Sequence, residues 1–205
     1  MAALAQVVES SLLPTVLHMP RGWMTDDRFI QFCQVNPDWR LERTAEGDIV
    51  IMPPAFPETG YRNLDLGAQL FQWTRRDRTG RAFDSSTGFK LPDGAILSPD
   101  ASWISKARLT RLSKPKRQKF WQICPDFVVE LRSSTERLSL LQDKMKEYMA
   151  NGAHLGWLID PLTREVHVYR PRGEVRRLKN PRTVSGDPVL RGFTLDLTEM
   201  WEPDL

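Results

Sequence analysis

Residues 126–160 constrain the fold most strongly. Within Asp126–Arg132, Phe127, Val129 and Leu131 alternate with Val128, Glu130 and Arg132, which is the period of a β-strand. From about Glu136 to Asn151, Leu138, Leu141, Met145, Tyr148 and Met149 form an apolar helical stripe, with Gly152 as the C-terminal cap. Leu155–Asp160 is apolar again and forms a hairpin with Glu165–Arg170 around Pro161. A strand, a helix and a second strand in this order read as a βαβ unit, whose crossover is right-handed.

The remaining elements assemble around that unit. Thr25 caps a short helix over Asp26–Val35, with Asp26 and Asp27 in its first turn, where the helix dipole favours acids. Trp39–Arg43 and Asp48–Met52 bracket Glu46-Gly47 as a hairpin. A second helix is predicted over Thr59–Arg76. Its apolar residues fall on several sides, Tyr61, Leu64, Ala68 and Phe71 on one and Leu66, Leu70 and Trp73 on others, so it is expected to be largely buried. Strands are predicted at Arg81–Asp84, around Phe89–Leu91 and at Asp100–Ile104, with weaker ones around Glu174–Leu178 and Phe193–Leu197. The fold class is therefore α/β, a mixed β-sheet in one layer flanked by helices. Residues 1–24 read as an N-terminal lead-in and residues 25–205 as a single domain.

Composition narrows the functional classes. Of 205 residues, 40% are hydrophobic, enough for a packed core. Lys and Arg number 29 against 26 Asp and Glu, a net charge of +3 that does not by itself specify a nucleic-acid partner. No apolar run reaches the ~18–20 residues of a membrane helix, and the N-terminus lacks the basic start of a secretory signal; a cytoplasmic protein is expected. Cys33 and Cys124 lie far apart, which excludes a disulfide framework or a cysteine-based zinc site as an organising theme. His18, His154 and His167 share no useful ligand spacing, and no glycine-rich phosphate loop is present.

Two acids stand out because each lies on a predicted strand. Asp100 follows Pro99 and opens one strand, and Glu130 interrupts the apolar run of another. An acid in such a run is costly to bury unless it is paired or bound to a metal. Two carboxylates on neighbouring strands can share Mg²⁺, a hard ion that prefers oxygen ligands and keeps several waters. Asp126 shares a face with Glu130, but four strand residues span about 13 Å, too far for one ion. Asp100 with Glu130 is the preferred pair if their strands are adjacent. The alternative is a core Glu130 paired with Arg132 or another base. Lys144 sits on the flank of the helical stripe, from where its stem can follow the core boundary and its ammonium can reach a cleft; as a competing reading it is an ordinary surface lysine. Residues 106–119 hold seven cations and no acid: Lys106, Arg108, Arg111, Lys114, Lys116, Arg117 and Lys119. Cations that touch phosphates release counterions, so this stretch is a candidate phosphate-contacting surface, or else a solvated linker. Arg75, Arg76, Arg78 and Arg81 form a second basic group.

The strings SPDASWIS (98–105), CPDFVVELRSS (124–134), LLQDKMKEYMANGAHLGWLIDP (140–161) and VYRPRGEV (168–175) resemble the Uma-type restriction endonuclease family, a branch of the PD-(D/E)XK nucleases. PETGYRNLDLGAQL (57–70) and DSSTGFKLPDGAI (84–96) look like the same family, so the resemblance runs from about Thr25 to Trp201. It implies a restriction-endonuclease-like fold and Mg²⁺- or Mn²⁺-dependent cleavage of DNA phosphodiester bonds. Pro99-Asp100 matches the Pro-Asp of the motif, Glu130 its second acid, and Glu58 the acid contributed by the preceding helix. Arg132 stands where the superfamily has Lys, and the lysine matching that role is Lys144 on the following helix. Arginine stays charged and can hold a phosphate, but it cannot act as a base.

The expected mechanism has Asp100, Glu130 and the Leu131 carbonyl holding the metal, with Glu58 completing the acidic site. Lys144 orients water or stabilises the developing negative charge, and Arg132 is its substitute. The Arg132 departure motivates the competing reading, a nucleic-acid-binding protein of the same fold without cleavage. A third reading is a structural or regulatory dimer whose basic stretch meets an acidic protein. A homodimer is expected on the ground that two cuts in a duplex need two sites.

Overall fold

The computed structural model describes residues 14–112 and 119–204. Three regions set the frame of the molecule. A first six-stranded sheet has the order β1-β3-β2-β6-β5-β8, built from β1 (Thr15–Leu17), β2 (Arg40–Arg43), β3 (Ile49–Met52), β5 (Phe89–Lys90), β6 (Ile96–Leu97) and β8 (Trp121–Gln122). The second has the order β12-β11-β10-β9-β7-β4, from β4 (Gly80–Asp84), β7 (Ala101–Ser105), β9 (Phe127–Leu131), β10 (Leu155–Asp160), β11 (Glu165–Tyr169) and β12 (Arg176–Lys179). A ribbon of β13 (Thr183–Ser185) and β14 (Thr194–Asp196) follows. The helices are α1 (Asp26–Val35), α2 (Pro57–Asp77), α3 (Lys106–Leu109), α4 (Leu138–Ala150) and α5 (Thr198–Trp201).

The βαβ reading of residues 126–160 holds. β9 and β10 pair in parallel, from Phe127↔Leu155 to Leu131↔Ile159, and α4 joins them. All residues of β9 and β10 are buried, which the apolar runs require. The two faces of β9 separate as the alternation predicts. Phe127, Val129 and Leu131 join a core with Trp157, Phe193 and the α2 residues Leu66 and Leu70. Val128 joins Leu158 and the α4 residues Leu141, Met145 and Tyr148.

Three expectations change. The single sheet is in fact two sheets. The chain leaves the first at Leu97 and enters the second at Ala101, so Ser98-Pro99-Asp100 is the crossing point. Helix α2 is also less buried than predicted. Its buried residues are Thr59, Leu66, Leu70 and Thr74, while Leu64 and Phe71 are exposed. An all-round scatter of apolar residues does not say which side meets a sheet, and α2 meets only one. Pro57 occupies its first turn, where a missing N–H costs nothing. Residues 1–24 were given no element, yet Thr15–Leu17 pairs with β3 as an edge strand. The helix α1 is capped as expected, Thr25 accepting the Arg28 N–H.

Candidate metal and phosphate site

Strands β7 and β9 are direct neighbours. They pair antiparallel with Ala101 opposite Val129, so the next position outward sets Asp100 against Glu130. The adjacency required of these two acids is therefore met. Both line one small cleft with Leu131, Asn63, Arg40, Glu136 and Lys144. Its volume is about 60 Å³, room for an ion and a few waters but not for a nucleotide. A larger groove of about 750 Å³ shares Arg40, Asn63 and Asp100 with it and runs along α2 past Leu64 and Phe71.

Each acid is held by defined partners. Asp100 Oδ2 accepts the Leu131 N–H at 2.9 Å, which ties the crossing point to the end of β9. Its Oδ1 lies 3.4 Å from the Asn63 amide nitrogen and 3.6 Å from the Arg40 guanidinium. Glu130 Oε1 accepts the Tyr148 hydroxyl at 3.0 Å and lies 3.1 Å from Lys144 Nζ. Lys144 Nζ also donates to Glu42 Oε1 at 2.9 Å, and that oxygen accepts the Ser98 N–H at 2.8 Å. The ammonium of α4 thus sits between a carboxylate of each sheet. The pairing of Glu130 with another base is realised through Lys144, and Lys144 is not an ordinary surface lysine: its side chain is 15% exposed.

Charge explains the titration of the cleft. Burial pushes the Glu130 carboxyl up to about 8, with Asp100 and Glu42 adding to the rise and Lys144 opposing it. Asp100 is raised by burial, against the pull of Arg40, the Leu131 N–H and Lys144. Burial works against the Lys144 ammonium, but the charges of Glu130 and Glu42 outweigh it and hold the group protonated. Glu42, Asp100, Glu130 and Glu136 outnumber the cations Lys144 and Arg40, an excess of negative charge that bound protons or a divalent cation would reduce. The sign follows directly: a carboxyl raised from 4.5 to about 8 stabilises the fold at low pH and loses that contribution as pH rises between the two values. In EDTA the thermal midpoint is expected to fall from pH 5 to pH 8.5, and Glu130→Gln to flatten the fall. A midpoint that rises over this range would contradict the assignment.

The other proposed site residues fall outside the cleft. Glu58 is in the first turn of α2 but exposed, paired with Arg62 at 2.7 Å. Arg132 turns to Asp160, with Nη1 2.8 Å from its Oδ2, and its Nε donates to the Glu136 carbonyl. Asp126 lies at the opposite end of β9, where it accepts the Ser105 N–H and pairs with Arg108 and His154. Lys106 begins α3 at the far end of β7, six residues or about 20 Å from Asp100. Arg111 is exposed and Lys119 pairs with Asp27. Lys114, Lys116 and Arg117 lie outside the described residues. Arg75, Arg76, Arg78 and Arg81 come to the same end, because Gly80 pairs with Ser105.

Arg40, Asn63 and Glu136 of the cleft, and Glu42 behind Lys144, escaped the sequence reading; Arg40 and Glu42 share a strand. That strand, β2, is far from Asp100 in sequence. The burial of Glu42 and Arg43 breaks the alternation that would have marked an inward acid. Glu136 had a local signal, the Ser133-x-x-Glu136 spacing; its carboxylate accepts the Ser133 N–H at 2.9 Å.

The comparisons with known proteins accord with this architecture. A family model described as Uma2, "Putative restriction endonuclease", matches residues 26–198. The chain belongs to the Uma2 family. A solved relative of this Uma2-family chain is titled "Crystal structure of a putative nuclease belonging to DUF820", from Anabaena variabilis ATCC 29413 at 1.96 Å resolution. The two share 22% identity, over 86% of this chain and 97% of that one, with a TM-score of 0.72, which shows a common mixed α/β fold. No curated protein matches the chain. Among the described residues, no helix is long and apolar enough to cross a membrane, and no group of three or more His, Cys, Asp or Glu side chains is arranged to hold a metal ion.

Proposed function

We propose that this chain is a Mg²⁺- or Mn²⁺-dependent endonuclease hydrolysing DNA phosphodiester bonds, with Asp100 and Glu130 as its metal ligands. The observation that carries the reading is the register of β7 against β9, which brings the half-buried Asp100 and the buried Glu130 side by side in one cleft with the Lys144 ammonium. Family membership supports the nuclease class. The donor set fits a hard divalent cation, because two carboxylates, a nearby backbone carbonyl at Leu131 and room for waters are what Mg²⁺ uses. Both contacts of Glu130 use Oε1, leaving Oε2 for a ligand. When bound, such an ion lowers the pKa of a coordinated water and polarises a phosphate.

The chain's own groups do the rest. Asp100 and Glu130 hold negative charge at a fixed separation. Lys144 presents a permanent positive charge where the phosphate gains negative charge, and a preorganised group there needs no reorganisation during the reaction. Glu58 would have to leave its pair with Arg62 to complete the acidic site. Arg132 braces the β9–α4 turn through Asp160, so its contribution is to hold the turn. The exposed cations at the far end of β7 contact flanking phosphates, and a homodimer would set two such sites on a duplex.

Crystals soaked in Mn²⁺ test the site. Anomalous density within about 2.0–2.6 Å of oxygens of both Asp100 and Glu130 is the expected result. Density elsewhere, or none at saturating Mn²⁺, removes the metal assignment. DNA binding that persists in EDTA without cleavage in any divalent ion would favour the binding protein over the enzyme.

A further inference from the structure

Glu42 is placed as no surface acid would be. It lies on β2 of the first sheet and is buried, yet one oxygen takes two hydrogen bonds from groups of the second sheet's site. The first donor is the Ser98 N–H at 2.8 Å, two residues before Asp100 and on the strand crossing. The second is Lys144 Nζ at 2.9 Å. An ammonium has three protons. Lys144 Nζ lies 2.9 Å from Glu42 Oε1 and 3.1 Å from Glu130 Oε1, so two of its protons have acceptors, and the side chain also lines the cleft, where one remains for a ligand. Without Glu42, the four-carbon stem of Lys144 would be free to collapse fully onto Glu130.

We propose that Glu42 is a positioning residue for the reaction, acting through Lys144 and through the Ser98–Asp100 crossing rather than on the substrate. Its carboxylate holds the ammonium at the cleft, and it ties the acid-bearing crossing to the first sheet through the Ser98 N–H. The pairing of the two sheets therefore becomes a condition of the chemistry. This inference rests on the nuclease reading of Asp100, Glu130 and Lys144.

The test compares Glu42→Ala and Glu42→Gln with the parent chain, in plasmid nicking with Mg²⁺ and in acylation of lysines by an amine-reactive ester read by mass spectrometry. Glu42→Gln keeps an oxygen acceptor for both donors and removes only the charge. For Glu42→Ala, kcat is expected to fall about 10- to 100-fold, the usual cost of losing a residue that supports a ligand or charge in the site. KM for plasmid should stay within about twofold, and Glu42→Gln should recover part of kcat. Lys144 should acylate several-fold faster in Glu42→Ala while other lysines are unchanged. A kcat within about twofold of the parent in Glu42→Ala overturns the proposal. So does a loss of kcat in both variants that merely tracks a lowered thermal midpoint, since that is a structural role. If the parent itself does not nick DNA with Mg²⁺ or Mn²⁺, the nuclease reading fails, and the acylation arm alone decides Glu42: an unchanged Lys144 rate rejects it and a raised rate retains its hold on the ammonium.

Discussion

Asp100→Ala is expected to abolish Mg²⁺-dependent nicking of plasmid DNA while leaving the chain folded. The loss should exceed the 10- to 100-fold that removal of an outer supporting partner costs, because a ligand itself is deleted. The fold should survive for an identifiable reason. Asp100 lies at the strand crossing, outside the paired residues of β7, and its main structural contact is the Leu131 N–H. That N–H, left without its acceptor, can be reached by water through the cleft, so stability should fall by about 1–3 kcal/mol. Plasmid nicking and urea unfolding measured on the same preparation check both halves. Undiminished nicking would reject the site even if the family assignment stands.

Lys144→Ala is expected to damage both stability and activity. It removes the ammonium between Glu42 and Glu130, whose side chains are 6% and 4% exposed. Leaving buried carboxylates without a partner costs about 3–5 kcal/mol. The carboxylates can escape that cost by taking up protons, so the loss should be largest above pH 8 and smaller at pH 5. Urea unfolding at the two pH values reads this difference. Nicking should fall about 10²- to 10³-fold, as when one preorganised charge-stabilising donor is deleted. Lys144→Arg should not restore activity, because a bulkier planar guanidinium does not reproduce the contacts of a compact ammonium with both Glu42 and Glu130. A variant that unfolds with the parent's profile at pH 8.5 would show that the ammonium is not the counter-ion of these acids.

Much of the site was legible because its elements are local. The strand alternation of Asp126–Arg132 separated Glu130 from Val129, and the two strand faces enter different cores as that alternation requires. The stripe of α4 placed Lys144 at the edge of a cleft. Adjacency of the strands of Asp100 and Glu130 remained a condition, since strand order is set by which pairings satisfy backbone hydrogen bonds across the whole sheet.

Where the argument needed two distant segments, sequence pattern was silent or misleading. Arg40 and Glu42 come from β2, about sixty residues from Asp100 in chain order, and meet Asp100 and Lys144 only through the packing of the two sheets. Glu58 and Arg132 matched a motif by position but spend their charges on Arg62 and Asp160. The basic stretch after Ser105 follows Asp100 closely in sequence yet leaves from the opposite end of β7.

By itself the sequence determined the local elements, the apolar faces that drive them together, and the residue types able to bind a hard cation. Those follow from periodicity and side-chain chemistry, which act over a few residues. Tertiary structure alone decided which acid meets which base. Burial is shared among segments that are remote in the chain, and only their mutual packing determines where a buried charge finds its partner.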